Sequence, residues 1–281
     1  MKKRVLAVIL LVVAAAVAGT LTRQRGADGG SSSTATDEQQ QQQPPQGTEI
    51  HESYKLQPGA QVLVKGINGR VEIVTGDTDT AEIFIHRNAR TEKELSRRQI
   101  FIEHTDTSLT VRGEQKKSGG GFWNFWSNEG SSGSENVTLK LPRRIAFSAR
   151  GVNGKVTVGE VDGDVAISGV NGKVEVAQTS SNTEVNGVNG AVTVAVKQLG
   201  ERGLRVSGVN GRVELRLRDG LNADLEARGM NGGVSSEMPE VVVQRESNHS
   251  SYSAHIGTGG SPISLSGING GVRLTRNTDG A

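Results

Sequence analysis

The chain alternates on two scales. At the fine scale, Val71 and Ile73 flank Glu72, Val156 and Val158 flank Thr157, Val165 and Ile167 flank Ala166, and Val174 and Val176 flank Glu175. The pattern returns with Val192 and Val194 around Thr193, Val213 and Leu215 around Glu214, and Val272 and Leu274 around Arg273. Alternation at period 2, with β-branched residues on one side and mostly polar ones on the other, predicts short half-buried strands. Each of these strands begins two residues after a glycine.

At the coarse scale, Gly-(Val/Ile/Met)-Asn-Gly recurs seven times, ending in Asn68-Gly69, Asn153-Gly154, Asn171-Gly172, Asn189-Gly190, Asn210-Gly211, Asn231-Gly232 and Asn269-Gly270. From Gly151 onward the steps are 18, 18, 21, 21 and 38 residues, the last being twice 19. A half-repeat lies between: Val161-Asp162-Gly163 sits nine residues from its neighbours on either side, and Leu221-Asn222-Ala223 precedes Met230-Asn231-Gly232 by nine. One turn with one strand is therefore the unit, and two units make a coil of 18–21 residues.

Two folds accommodate this pattern. Asn-Gly is a strong hairpin signal, so an antiparallel meander is one. A single-domain β-solenoid is the other, and it is the all-β fold we favour, because only stacked coils have a reason to repeat the same corner in the same strand register. Two consecutive corner positions are expected to need positive φ or close backbone approach. The Val or Ile before each Asn should plug the corner, and the Asn side chains could form an amide ladder. At about 20 residues per coil, residues 49–281 give eleven or twelve layers, a rod of about 50–55 Å.

Four regions follow. Residues 1–25 hold Lys2, Lys3 and Arg4 ahead of an uncharged stretch from Val5 to Gly19, which marks a signal peptide or a signal-anchor helix. Either places the remainder outside the inner membrane; an uncleaved segment would make the membrane itself a partner. Residues 26–48, with Gly29-Gly30-Ser31-Ser32-Ser33 and five consecutive glutamines from Gln39, read as a disordered linker. Residues 49–147 form an irregular N-terminal β region with strand candidates at 81–85, 100–102, 109–111, 137–141 and 145–147; Thr91–Arg98 fits a turn or one exposed helical turn. Residues 148–281 carry the regular repeats, and the ends of such a stack need caps.

The segment 118–135 interrupts this regularity. Its Phe122, Trp123, Phe125 and Trp126 lie in a Gly/Ser-rich loop, in a chain with only nine aromatic residues. One reading is an exposed tip that enters a membrane interface or grips a partner; the other is a plug folded over the solenoid.

Composition narrows the chemistry. No cysteine is present, which removes disulfides, thiol nucleophiles and Cys-ligated metals, and there is no lipoprotein anchor. The 32 basic and 30 acidic residues nearly balance, and with five cations in the first 25 residues the body is slightly acidic, not the basic footprint of a nucleic-acid binder. No metalloprotease, nucleophile-elbow, Walker or dinucleotide motif occurs. Asp77/Asp79 and Asp162/Asp164 are short turn pairs without a calcium-loop pattern, and His249 and His255 sit in a Ser-rich stretch. We therefore expect no enzyme, no cofactor and no metal.

Gly-Val/Ile-Asn-Gly followed by x-Val-x-Val, behind one N-terminal hydrophobic segment, resembles the bacterial putative-adhesin family, a β-solenoid domain of unknown function. The likeness spans roughly residues 60–276 and is densest from 150 onward. It implies an exported or membrane-tethered protein in the cell envelope with a glycan or protein ligand, and it supplies no catalytic residues. The outward residues Glu72, Glu175, Glu214 and Arg273 are then candidate contacts. Two alternatives stand beside a non-enzymatic binding module. One is a carbohydrate-active solenoid enzyme using Glu175 and Glu214; the other is a periplasmic scaffold or sensing domain of a membrane complex.

Overall fold

A computed structural model describes residues 46–115, 133–246 and 250–277. The leader, most of the linker and all four loop aromatics lie outside the described residues. Two sheets face each other: an upstream sheet of eleven strands, seven of which enter the Asn-Gly corners, and a downstream sheet of ten, seven of which leave them.

Pairing between repeats is parallel. Val165 and Ile167 lie beside Phe147 and Ala149, and Val174, Glu175 and Val176 beside Val156, Thr157 and Val158. The Asn-Gly turns thus join the two sheets and do not fold neighbouring strands into hairpins, so the meander is excluded and the fold is a β-solenoid. The half-repeats form the opposite corner, with Val161 closing one strand and Val165 opening the next.

Eight layers run in parallel. In spatial order the upstream strands are Ser108–Gln115, Ala60–Lys65, Ile145–Val152, Val165–Val170, Thr183–Asn189, Leu204–Asn210, Ser261–Ile268 and Ala223–Arg228. Their downstream companions are Ser134–Pro142, Val71–Gly76, Val156–Val161, Val174–Thr179, Val192–Val196, Val213–Leu217, Val272–Arg276 and Val234–Ser236. Eleven or twelve layers was an overestimate: with sheets of ten and eleven strands the stack is about 45 Å long. The difference is spent on the ends. Gln46–Lys55 and Thr80–Ala89 add antiparallel strands to the downstream sheet, and Arg98–Thr105 adds one to the upstream sheet. A helix Glu92–Arg97, capped by the Thr91 hydroxyl, bridges Thr80–Ala89 and Arg98–Thr105. At the far end Tyr252–Ile256 and the two-residue Gln244–Arg245 lie antiparallel over the last upstream strand. Strands of two and three residues leave little edge for another chain to extend.

Space and sequence order part company at both ends. The coil 60–76 is held between 108–142 and 145–161, and the coil 261–276 between 204–217 and 223–236. The 38-residue step is therefore not two coils of 19. It covers the second half of the coil at 223–236, the cap at 237–260, and the strand Ser261–Ile268, which returns into the layer beneath.

Every inward residue of the alternation is buried, including Val156, Val158, Val165, Ile167, Val174, Val176, Val213 and Leu215. Corner plugs Ile67, Val152, Val170, Val188, Val209 and Ile268 are about 1% exposed. Each fully buried aliphatic side chain contributes about 1.5–3 kcal/mol, so each coil brings its own share of one continuous core.

The corner demands fall on different residues from those expected. They are not consecutive; they bracket the Val-Asn pair. The opening glycine takes the left-handed conformation, with φ 62° at Gly151 and 63° at Gly169. The closing glycine answers a stacking demand: a Cβ at Gly172 would fall on the carbonyl oxygen of Gly154, far inside contact distance. Gly154, Gly190, Gly211, Gly270 and Gly232 repeat this against the layer beneath each.

Gly172→Ala should therefore destabilise the chain by roughly 3 kcal/mol or more, whereas Gly76→Ala, with no atom within 4 Å of its Cβ, should stay within about 0.5 kcal/mol. Denaturant unfolding of the two variants checks this. Equal midpoints would mean that layer contact at the corner does not govern stability.

Candidate functional site

The asparagines form the ladder. Asn153 Nδ2 donates to Asn68 Oδ1 at 2.8 Å, Asn171 to Asn153 at 3.1 Å, Asn189 to Asn171 at 3.1 Å and Asn210 to Asn189 at 3.2 Å. Asn269 then donates to Asn210 at 3.1 Å and Asn231 to Asn269 at 2.9 Å. All dipoles point one way, an arrangement in which each bond polarises the next.

The ladder ends on a backbone carbonyl, beside a buried acid. In the first layer, the sequence between the strands Ser108–Gln115 and Ser134–Pro142 contains no Asn-Gly. Asn68 Nδ2 there donates to the Gly133 carbonyl at 2.7 Å, and its backbone N–H donates to the Glu135 carboxylate at 3.1 Å. Other corners satisfy that N–H with a backbone carbonyl, as Asn153 does with Ile67 at 2.8 Å. Glu135 is 2% exposed and pairs with Arg98, whose guanidinium also donates to the Gly66 carbonyl at 3.1 Å. Removing one member of such a buried pair typically costs about 3–5 kcal/mol. Sequence reading missed Glu135 because its task exists only where the repeat is absent. The loop carrying Phe122, Trp123, Phe125 and Trp126 has its ends, Gln115 and Gly133, beside this point; the four aromatics themselves lie outside the described residues.

Outward positions of the downstream sheet also form a row. Thr138, Glu72, Thr157, Glu175, Thr193, Glu214 and Arg273 occupy successive layers, one residue each. Ala166, read in the sequence beside these residues, belongs to the other sheet. Threonine alternates with glutamate, which keeps like charges two layers, about 9.6 Å, apart. Phe84 and His51 extend the row past Thr138, stacked with ring centroids 4.2 Å apart, and Lys140 lies 5.0 Å over Phe84. The Val137-Thr138-Leu139 alternation carried the signal for Thr138 and Ile83-Phe84-Ile85 that for Phe84; nothing in the sequence placed Phe84 or His51 in this row, because their strands are antiparallel additions.

Electrostatics make the row ionic. Glu175 pairs with Lys155 at 2.5 Å and with Lys173, and hydrogen bonds from these two ammonium groups, Lys155 first, hold its carboxyl below the usual range. A general acid of a glycosidase needs the opposite shift. Glu214 accepts from Arg216 at 2.8 Å, and Arg273 pairs with Glu237 at 3.2 Å. Of the Asp pairs, Asp164 is engaged by Ser181, Asn182 and Arg202, and Asp77 lies 3.8 Å from Arg143. His255 pairs with Asp224 at 2.6 Å, and His249 lies outside the described residues. Among the described residues no three metal-ligating side chains converge, and no helix is long and apolar enough to cross a membrane. An open depression of about 240 Å³ lies at the opposite corners, lined by Lys197, Leu199, Arg218, Asp219, Leu221 and Asn222 among others.

These features define a two-sheeted parallel β-solenoid with an exposed amide ladder and an outward row that places one residue in each layer. No family profile matches the chain, and no curated protein matches it in sequence. Solved structures similar to it include a putative cell adhesion protein from Clostridium sporogenes (13% identity, TM-score 0.40, covering 82% of this chain and 100% of that one). Another is a putative adhesin from Bacteroides fragilis (14% identity, TM-score 0.29, 81% and 97%).

The depressed carboxyls set an acid limit. A group whose folded pKa is lowered stabilises above its unfolded pKa, roughly 4–4.5, and that contribution disappears as pH falls through the lower folded value. Glu175, and Asp164 with its Ser181 and Asn182 hydrogen bonds, should thus make the unfolding midpoint drop below the ordinary carboxylate range. Glu175→Gln should flatten that drop in a pH series of thermal melts; an unchanged slope would contradict the assignment.

Proposed function

We propose that this protein is a non-enzymatic binding module of the bacterial cell envelope, an adhesin-like solenoid that holds an extended macromolecule along its axis. The observation that supports this best is the outward row from Thr138 to Arg273, which offers one polar side chain per layer on an open face. A partner with its own linear repeat can meet such a row many times over, and many weak contacts sum without any deep pocket. The basic leader and apolar stretch support export, with the solenoid outside the inner membrane and anchored there when the leader is retained. The aromatic loop is a second contact in this reading, with Phe122, Trp123, Phe125 and Trp126 as its gripping residues.

The test is retention of envelope glycan and protein fractions by the full chain. Replacing Thr157 and Thr193 by Arg fills the row with bulk and charge and should reduce retention about tenfold or more; Trp123→Ser with Trp126→Ser tests the loop separately. No retention of any fraction by the unaltered chain would end the proposal. So would release of new reducing ends from a polysaccharide that Glu175→Gln or Glu214→Gln abolishes, since those two acids, two layers or about 9.6 Å apart, approach the spacing of an inverting pair.

A further inference from the structure

Cations flank two of the seven corners on both sides. Lys65-Gly66-Ile67-Asn68-Gly69-Arg70 and Arg150-Gly151-Val152-Asn153-Gly154-Lys155 share this form, and the other five corners lack it. They lie 85 residues apart in sequence, yet the tucked coil 60–76 sets them in adjacent layers: Lys65 is paired in register with Arg150. Lys155 supports the next layer in turn, its carbonyl accepting from the Val71 N–H at 2.9 Å. Four cations therefore surround the hydrogen-bonded pair Asn68–Asn153, at the exposed edge where the sheets meet.

Their neutralisation is incomplete. Lys155 shares Glu175 with Lys173. On the upstream face Arg112, in register with Lys65, is matched by Glu103 at 3.3 Å and by Glu114. Lys65, Arg70 and Arg150 have no ion-pair partner among the described residues; of the other acids near the corner, Glu72 lies two residues beyond Arg70, and the buried Glu135 accepts from the Asn68 N–H and is paired with Arg98. Like charges directly opposite on neighbouring strands oppose folding, so an unpaired Lys65–Arg150 contact is a local cost that a bound anion would remove.

We infer that this corner is the anion-selecting end of the proposed binding face, and that the ligand is a linear polyanion carrying phosphate or carboxylate groups. The inference rests on the binding-module reading and adds the charge of its ligand. Charge complementarity supplies the attraction. Linearity follows from what lies beyond the corner: Lys173 and Arg212 continue the column along the axis, and each layer adds an exposed Asn amide. The exposed large apolar residues among those described are Val74 and Val242, so the attraction argued at this corner is ionic, and vesicles serve in the experiment as the competing surface.

The experiment uses the full chain with long-chain inorganic polyphosphate, polygalacturonate, neutral dextran and phosphatidylglycerol vesicles. Binding to one or both polyanions should weaken as salt rises, and the preferred polymer names the anionic group. A Lys65→Gln, Arg70→Gln, Arg150→Gln triple variant should lose about tenfold or more in affinity, with a shallower salt dependence and an unfolding midpoint equal to or above that of the parent. A control of equal charge change, Arg144→Gln, Arg205→Gln and Arg218→Gln, should change affinity less than about twofold. Equal losses in both variants, binding to vesicles without binding to polyanions, or no polyanion binding at all would each overturn the inference. Retention of a neutral envelope fraction, undiminished by the Lys65/Arg70/Arg150 changes, would overturn it while leaving the binding-module reading in place.

Discussion

The corner stack constrains everything else. A backbone carbonyl of one layer sits where the closing glycine of the next would carry its Cβ, and this holds from Gly154 over Gly69 to Gly232 over Gly270. Contact that close fixes the height of each layer and its register together. Once the register is fixed, Val lies over Val inside, and the asparagine amides meet at hydrogen-bonding distance outside. The ladder is thus a consequence of the glycine stack as much as a cause of order. Its separate contribution is modest, because exposed amides exchange one partner for water at a net gain of only about 0.5–1.5 kcal/mol per bond.

Identical corners create a second problem, which the ends resolve. A layer that stacks on any other can frayed from, or be extended by, another chain. Here neither outermost layer is the chain's first or last coil. The coils 60–76 and 261–276 are each held between two others, so freeing either one breaks parallel pairing on both of its sides. What remains outermost is antiparallel, apart from the three-residue parallel strand Val234–Ser236 at the far edge of the downstream sheet. At one end Tyr54 and His104 stack with centroids 3.7 Å apart, linking a downstream strand to an upstream one, and burial with a hydrogen bond to Glu52 pushes the Tyr54 hydroxyl up to about 12. At the other, the buried Met238, Val241 and Tyr252 cover the last layer.

This division explains what the sequence made legible. Inward pairs, plugs, ladder asparagines and the coil length are local and periodic, so they could be read directly; the helical turn after Thr91 was readable from its length and charge. Layer order was not. Nothing in Gly267-Ile268-Asn269-Gly270 says that this corner enters between 208–211 and 229–232 instead of stacking after them, because all three carry Gly-x-Asn-Gly. The candidate site inherits this split. Glu72, Glu175, Glu214 and Arg273 were visible from alternation, but their threonine spacing required the true spatial order, and the juxtaposition of Lys65 with Arg150 required the tucked coil. Glu135 escaped for a different reason: it compensates for a missing corner, and periodicity says nothing about exceptions.

A solenoid that needs uniform interior layers is free to vary its outward residues, and selection for a ligand can act there without disturbing the stack. The limit is electrostatic. Neighbouring layers are about 4.8 Å apart, so equal charges in consecutive layers repel, and the Thr–Glu alternation on the downstream face respects that limit. So does the sharing of Glu175 between Lys155 and Lys173. The upstream row departs from it at Arg112, Lys65 and Arg150, three cations in three consecutive layers, with acids matched only to Arg112. Where a fold manages like charges carefully along one face and leaves them adjacent at one corner, the exception is best explained by something that binds there. The corner lies at the end of the ladder, beside the one described layer whose two strands have no Asn-Gly between them in sequence, which ties that exception to the place where the repeat itself stops.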